Sequence, residues 1–308
     1  MAALSLSRTH RRRRSRLARR EAAAGWLFAS PWVIGFVAFT LGPMLYSLLL
    51  IFLKWDLITP PEWGGMANFE RLLGDRRVPI ALYNTAYYTF IGVPIHLAVA
   101  FLLALALNVQ IRGLAIYRTI YYLPSITPAV ANAVIWLQIL QPDYGILNEF
   151  LRNFGIQGPN WLYEPALAKP AFILMSVWSI GPQMIIFLAG LQGVPSVLKE
   201  AATIDGAGEW SQFRHITVPI ITPIIFFNLV VGIIGSFQVF TAAYIMTAGG
   251  PENSTLFYVL YLWRNGFEYF RMGYAALLAW VLFFIISFFT VIQFGLAGRW
   301  VYYETLRS

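Results

Sequence analysis

"EAATIDGAGEWSQFRHITVPIITP", residues 200–223, is the stretch on which the fold turns: long apolar runs flank it, yet it carries Glu200, Asp205, Glu209 and Arg214 and two closely spaced glycines, 206 and 208. Charge of this density is costly in hydrocarbon, so the stretch connects two membrane crossings from outside the bilayer. Its local chemistry predicts a short helix, a turn and a second short helix. Ser196 after Pro195 is a candidate N-cap, "VLKEAATID" is rich in helix formers, and Gly206 and Gly208 permit the positive φ of a tight reversal. The adjacent Ala201 and Ala202 leave a shallow spot for another surface, with Glu200 and Asp205 beside it as acceptors for a basic partner.

Working outward, the composition is that of a membrane protein. Of 308 residues, 58% are hydrophobic and only 12% charged, which excludes an ordinary soluble domain. Crossing about 30 Å of hydrocarbon takes about 20 apolar residues, and six runs meet that length: 26–53, 81–107, 116–140, 170–191, 219–246 and 274–297. The predicted fold is all-α and polytopic, with six transmembrane helices. None of the six runs holds an Asp or Glu in its interior, and Lys and Arg stand only near the ends, as at Lys54 and Arg118.

Basic residues set the orientation. With the N-terminus inside, the cytoplasmic segments hold fourteen Lys and Arg and the outer ones eight, so the positive-inside rule places both termini in the cytoplasm. The expected organisation is a basic N-terminal tail (1–25), a six-helix domain (26–297) with a cytoplasmic loop at 192–218, and a C-terminal tail (298–308). The tail "RTHRRRRSRLARR" reads as a topology determinant resting on anionic lipid. The apolar run that follows is longer than the 7–15 residues or so of a signal-peptide core. With no cysteine, disulfides and thiolate metal sites are excluded.

The outer loops, near 54–80, 141–169 and 247–273, are rich in Trp, Tyr, Pro, Gly and Asn. They read as a docking surface or lid, with interfacial aromatic anchoring accounting for part of that composition. Pro43, Pro94, Pro124, Pro128, Pro182 and Pro223 interrupt the spans. Each removes a backbone donor, so the kinked backbone should face protein or a water-filled cavity. In the fifth span Asn228, Gly232 and Gly235 share one helix face, as close helix packing or a solute path requires. The polar groups available to such a path are Asn84, Asn132, Gln183, Asn228, Gln238 and Tyr244.

Several activities lack their residues. Ion-coupled carriers rely on an intramembrane carboxylate or ion pair, which the spans do not contain. A P-loop needs Gly-Lys, but Lys54, Lys169 and Lys199 follow Leu, Ala and Leu. His10, His96 and His215 are scattered, no metalloprotease or serine-hydrolase motif occurs, and His96 reads as a hydrogen-bonded packing residue.

The stretch at 200–219 resembles the cytoplasmic EAA loop of ABC importer permeases: Glu-Ala-Ala, three residues, Gly, nine residues, Ile, one residue, Leu-Pro. Glu200, Ala201, Ala202, Gly206, Ile216 and Pro219 fall in register, with Val218 replacing the usual Leu. "RGLAIYRTIYYLPSITPAVANAVIWLQILQPDYGILNEFL" and "TAGGPENSTLFYVLYLWRNGFEYFRMGYAALLAW" are similar to the carbohydrate-uptake branch, the maltose, lactose and glycerol-phosphate type permeases, and the resemblance covers almost everything after residue 26. It implies a type I ABC importer permease fold in a prokaryotic cell membrane and no enzymatic activity in this chain. It also implies three kinds of protein partner, a second, similar permease, two ATPase subunits that hold ATP and Mg, and an extracytoplasmic solute-binding protein, and it implies no nucleic acid. Glu200 would pair with a basic residue of an ATPase, with Asp205 beside it; Ala201 and Ala202 would permit close approach and Gly206 would set the turn. The uncharged spans point to a neutral polar solute, a mono- or oligosaccharide. Another solute such as glycerol phosphate, or an ion-coupled carrier, is the alternative.

Overall fold

The structure, a computed structural model, describes residues 16–109 and 112–302. Most of the arginine-rich tail, residues 1–15, and residues 303–308 of the C-terminal tail lie outside the described residues. Four helical segments are long and apolar enough to cross a membrane: Arg20–Leu50, Arg77–Ala106, Glu209–Met246 and Met272–Trp300. Two bent pairs complete six crossings.

In chain order, α1 (Arg16–Phe36) and α2 (Gly42–Leu50) form the first crossing, and α1 begins inside the stretch read as a tail. A two-stranded antiparallel hairpin, β1 (Leu53–Lys54) with β2 (Glu62–Trp63), and α3 (Ala67–Gly74) follow. The second crossing is α4 (Arg77–Tyr87) and α5 (Val93–Ala106). The third is α6 (Leu114–Tyr122), a 3-10 turn and α7 (Ala129–Ile139), after which α8 (Ile146–Arg152) lies in an outer loop. The fourth is α9 (Pro165–Trp178) and α10 (Gly181–Gln192). Then come α11 (Ser196–Ile204), α12 (Glu209–Gln212), α13 (Val218–Ser236) and α14 (Thr241–Met246), the last three within the fifth crossing. Outer α15 (Tyr258–Trp263) precedes α16 (Met272–Trp300), the sixth crossing.

The third crossing, expected over 116–140 with interruptions at Pro124 and Pro128, is broken there: α7 turns 99° from the segment Leu114–Ile126. Pro124 and Pro128 explain the break. The 3-10 turn Leu123–Ile126 contains the first, and Thr127, forced out of the helical region before Pro128, sits extended at ψ 128°. The fourth crossing begins at Pro165 rather than 170 and bends by 52° at Ser179–Ile180, just before Pro182.

The remaining prolines act differently. Gly42-Pro43, Val93-Pro94 and Val218-Pro219 are each immediately preceded by one π-helical turn, Val37–Leu41, Tyr88–Gly92 and Phe213–Thr217. The ring cannot donate and crowds the carbonyl four residues back, and widening that turn relieves both faults while the helix continues. Pro31 and Pro223 lie inside unbroken helices because a preceding hydroxyl repairs the ladder. Ser30 Oγ donates to Leu27 O at 2.8 Å and Thr222 Oγ1 to Pro219 O at 2.6 Å, in each case the carbonyl that the proline leaves unpaired.

Lipid is as apolar as the side chains it would replace, so close fit and internal hydrogen bonds hold the bundle together. Helix α5 packs along α10, and α13 packs against α5, α10 and α16. At Gly181 a Cβ would stand 2.8 Å from Tyr122 Cα, so only glycine lets the start of α10 meet the end of α6. Ser236 Oγ donates to Thr89 Oγ1 at 2.9 Å, joining α13 to the second crossing.

Candidate functional site

The loop at 192–218 is built by helix-end chemistry. Ser196 is the first helical residue of α11, and Pro195 takes the cap position without a side-chain hydrogen bond, so the expected serine cap is not used. Pro suits this boundary because its own missing N–H and fixed φ favour a helix start. At the far end the expectation for Gly206 holds: φ is +81°, Gly206 N–H donates to Thr203 O at 3.0 Å and Ala207 N–H to Ala202 O at 2.8 Å. Those two bonds are a Schellman closure, which needs a left-handed residue at this position. Gly208, by contrast, is extended and caps α12. Gln212 then fixes the second helix to the first, its Nε2 donating to Thr203 Oγ1 and Ala207 O, both at 2.9 Å.

The motif residues divide between two surfaces. Glu200, Ala201, Asp205 and Gly206 are exposed and Ala202 half-buried; among the described residues neither carboxylate forms an ion pair. Ile216 and Pro219 turn inward and line an apolar recess of about 510 Å3 with Leu198, His215 and Tyr302. Two residues that the sequence reading passed over stand beside the carboxylates: Ile204 is 87% exposed and Trp210 71%. Together they leave an exposed apolar patch on an otherwise polar loop. Their signal in the sequence was an Ile and a Trp placed among charges rather than within an apolar run.

A second site lies inside the bundle, a cavity of about 420 Å3 walled by the second, third, fourth and fifth crossings. Of the six polar residues considered for a solute path, the structure brings two to it, Asn132 from α7 and Gln183 from α10. Their carbonyl oxygens, Oδ1 and Oε1, are buried without a hydrogen-bond partner. His96 joins them on α5: its Nδ1 donates to Ser176 O at 2.9 Å, which directs the proton to that nitrogen and leaves Nε2 an acceptor. Gly232 and Gly235 line the same cavity. A buried acceptor without a partner awaits a donor; Asn132 Oδ1 is one, and the Gln183 amide lies against the His96 ring.

The other four residues are elsewhere. Asn84, 2% exposed, donates to Asn253 O at 2.7 Å and Leu256 O at 3.2 Å and accepts from Lys169 Nζ at 3.0 Å, so it pins an outer loop. Asn228 donates to Ile224 O and Gln238 to Ile234 O, both at 2.9 Å, so each amide donor is met within its own helix. Tyr244 is packed edge-on against Trp263 with ring centres 4.8 Å apart.

Comparison with known proteins places these features in a wider set. Residues 81–301 match the family described as "Binding-protein-dependent transport system inner membrane component". The chain is 45% identical over 298 residues to the probable ABC transporter permease protein YesP of Bacillus subtilis, covering 95% of this chain and 96% of that protein. It is 33% identical to the lactose transport system permease protein LacF of Rhizobium radiobacter, covering 91% and 96%. In fold it is similar to a chain of a bacterial ABC transporter involved in the import of the acidic polysaccharide alginate, with TM-score 0.80 at 24% identity, over 92% of this chain and 99% of that one.

Proposed function

The chain belongs to the family of binding-protein-dependent transport system inner membrane components, and from that premise we propose that it is one permease half of an ATP-driven sugar importer, in which movement of α11 opens and closes the polar cavity. The observation that carries this reading is continuity. The loop that displays Glu200, Asp205 and Ile204 runs through α12 and a π-helical turn directly into α13, and α13 walls the cavity through Gly232 and Gly235. A push on α11 is thus a push on the cavity wall.

In this scheme two ATPase subunits, which hold the ATP and Mg, sit under a pair of permeases. Each receives one such helix in a cleft whose basic residue meets Glu200, with Asp205 beside it. Ala201 and Ala202 let the two surfaces close, and the Schellman turn at Gly206 makes α11 and α12 move as one body. Closure of the ATPase pair on ATP then biases the bundle between inward and outward access. A solute-binding protein delivers a neutral mono- or oligosaccharide to the outer loops, and Asn132, Gln183 and His96 offer hydrogen bonds to its hydroxyl groups in transit. The absence of Asp, Glu, Lys and Arg from the cavity lining supports a neutral sugar over glycerol phosphate. Both termini face the cytoplasm of a prokaryotic cell.

The test is ATP-dependent sugar uptake into proteoliposomes holding the full complex, with Glu200→Arg and Gly206→Val compared with wild type after co-purification shows assembly. Uptake is expected to fall at least tenfold, with weaker ATPase association or hydrolysis that no longer drives transport. Wild-type uptake with unchanged ATPase association in both variants would overturn the coupling role. Tighter binding of a sugar phosphate than of any neutral sugar would overturn the substrate class.

A further inference from the structure

Four arginines converge on one part of the outer face. Arg71 at the end of α3, Arg76 and Arg77 at the start of α4, and Arg271 just ahead of α16 line an open recess of about 510 Å3 with Asp75 and Tyr261. All four are exposed, and none has a carboxylate within 4.0 Å; the ion pairs among the described residues are Arg152–Glu149 and Arg264–Glu268. Asp75 is the sole acid in the recess, and its oxygens are already taken. It accepts from the hydroxyls of Tyr261 and Tyr274 and from the backbone N–H of Arg77.

Tyrosine side chains contact three of the four guanidinium groups instead. Arg71 Cζ lies 5.7 Å from the centre of the Tyr274 ring, Arg271 Cζ 5.7 Å from that of Tyr269, and Arg77 Nη1 donates to the Tyr269 hydroxyl at 3.5 Å. Stacked on a ring, a guanidinium keeps its N–H edge free for a carboxylate. Like charges gathered this closely repel, and the cost is recovered when an anion enters. The excess is local: the recess on the other side of Arg71 and Arg271 also holds Lys54, Asp56 and Glu62, and is nearly balanced.

The geometry points to this recess as the seat for carboxylate side chains on one lobe of the solute-binding protein, an electrostatic latch that fixes how that protein sits on the permease. This rests on the importer reading above. A protein surface fits better than the transported solute because the recess shares no lining residue with the inner cavity. It is also open, and it is flanked by the exposed rings of Tyr269 and Phe270. Arginine beside aromatic rings is the composition of binding hot spots between proteins.

The experiment titrates the full complex, in nanodiscs of phosphatidylcholine alone, with the solute-binding protein of its own system and reads stimulated ATP hydrolysis at about 50 and 500 mM salt. The half-saturating concentration is expected to rise roughly tenfold or more at high salt. Arg76→Glu with Arg271→Glu should produce a similar rise at low salt and flatten the salt response, and Arg77→Gln a smaller one. An acid-to-lysine change on the binding protein should restore the charge-reversed pair. Variants are scored only if they co-purify with their partners and keep the wild-type Tm; Arg77→Gln is the mild substitution that meets this condition if the reversed pair does not. Half-saturation that neither salt nor substitution moves would overturn the latch. So would an effect confined to discrimination between uronate-bearing and neutral sugars, which makes the recess a solute site, or one that appears only when phosphatidylglycerol is present, which makes it a lipid site. Wild type that its binding protein does not stimulate at all would remove the importer reading itself, and the latch with it.

Discussion

Asn132 and Asn228 are the same amide in two apolar helices, and their surroundings give them opposite roles. Asn228 satisfies its donor on Ile224 O one turn back, whereas Asn132 Oδ1 is left buried and unpaired at the cavity. An amide in an apolar run is visible in the sequence; whether its own helix satisfies it is not, because that depends on which way the side chain turns. His96 is hydrogen-bonded as expected, but its partner Ser176 O lies 80 residues away and its place on the cavity could not be read locally. The distinction is testable with labelled sugar and the purified complex. Asn132→Ala and Gln183→Ala each remove an acceptor worth about 1–1.5 kcal/mol and should weaken binding about five- to tenfold. Gln238→Ala, outside the cavity, should leave it unchanged. Equal losses in all three would mean that the solute takes another route.

At the scale of elements, six crossings were legible from apolar run length, and α11 and its glycine stop from propensity and turn chemistry. The effect of each proline was not, because it depends on what stands beside the ring. Thr222 keeps Pro223 from breaking α13, and the same hydroxyl oxygen accepts the N–H of Tyr302 at 2.9 Å. Thr222→Val keeps the shape and deletes both bonds, leaving Pro219 O and Tyr302 N–H without partners. A loss of about 1–3 kcal/mol is expected, read as a lowered Tm of the purified protein; an unchanged Tm would mean that the freed carbonyl finds another donor. Gly181→Ala probes the bend between α9 and α10. Its methyl meets the Tyr122 backbone, which cannot swing aside as a side chain can, so α6 and α10 must separate. The expected readout is a cavity reshaped at Gln183, with sugar affinity falling together with Tm, whereas Gln183→Ala lowers affinity alone.

Across the whole molecule the outer lobe is tied to the bundle through Asp75, a tie that no local pattern announces because its partners Tyr261 and Tyr274 are 186 and 199 residues away. Burial pushes the Asp75 carboxyl up, but the hydrogen bonds from Tyr261, Tyr274 and the Arg77 backbone outweigh it and hold the carboxyl below its ordinary range. Burial, and then the bond to Asp75, push the Tyr261 hydroxyl up to about 12. The two shifts bracket a pH window. A carboxyl with a depressed folded value contributes stability above its unfolded value of about 4 and loses it as pH falls through the folded value. A phenol with a raised folded value contributes below its unfolded value of about 10 and loses it as pH rises from there towards 12. Tm should therefore be level between about pH 4 and 10 as far as this tie is concerned, and fall on either side. Asp75→Asn should lower Tm at neutral pH, remove the acid contribution of this tie and reduce the alkaline one, while Tyr261→Phe should remove its own alkaline contribution and also shallow the acid slope, because it takes away one of the hydrogen bonds that hold the Asp75 carboxyl down. If both variants kept the wild-type slopes, the triad would not be what holds the lobe, and the recess beside it would have to be positioned by the hairpin and α3 alone.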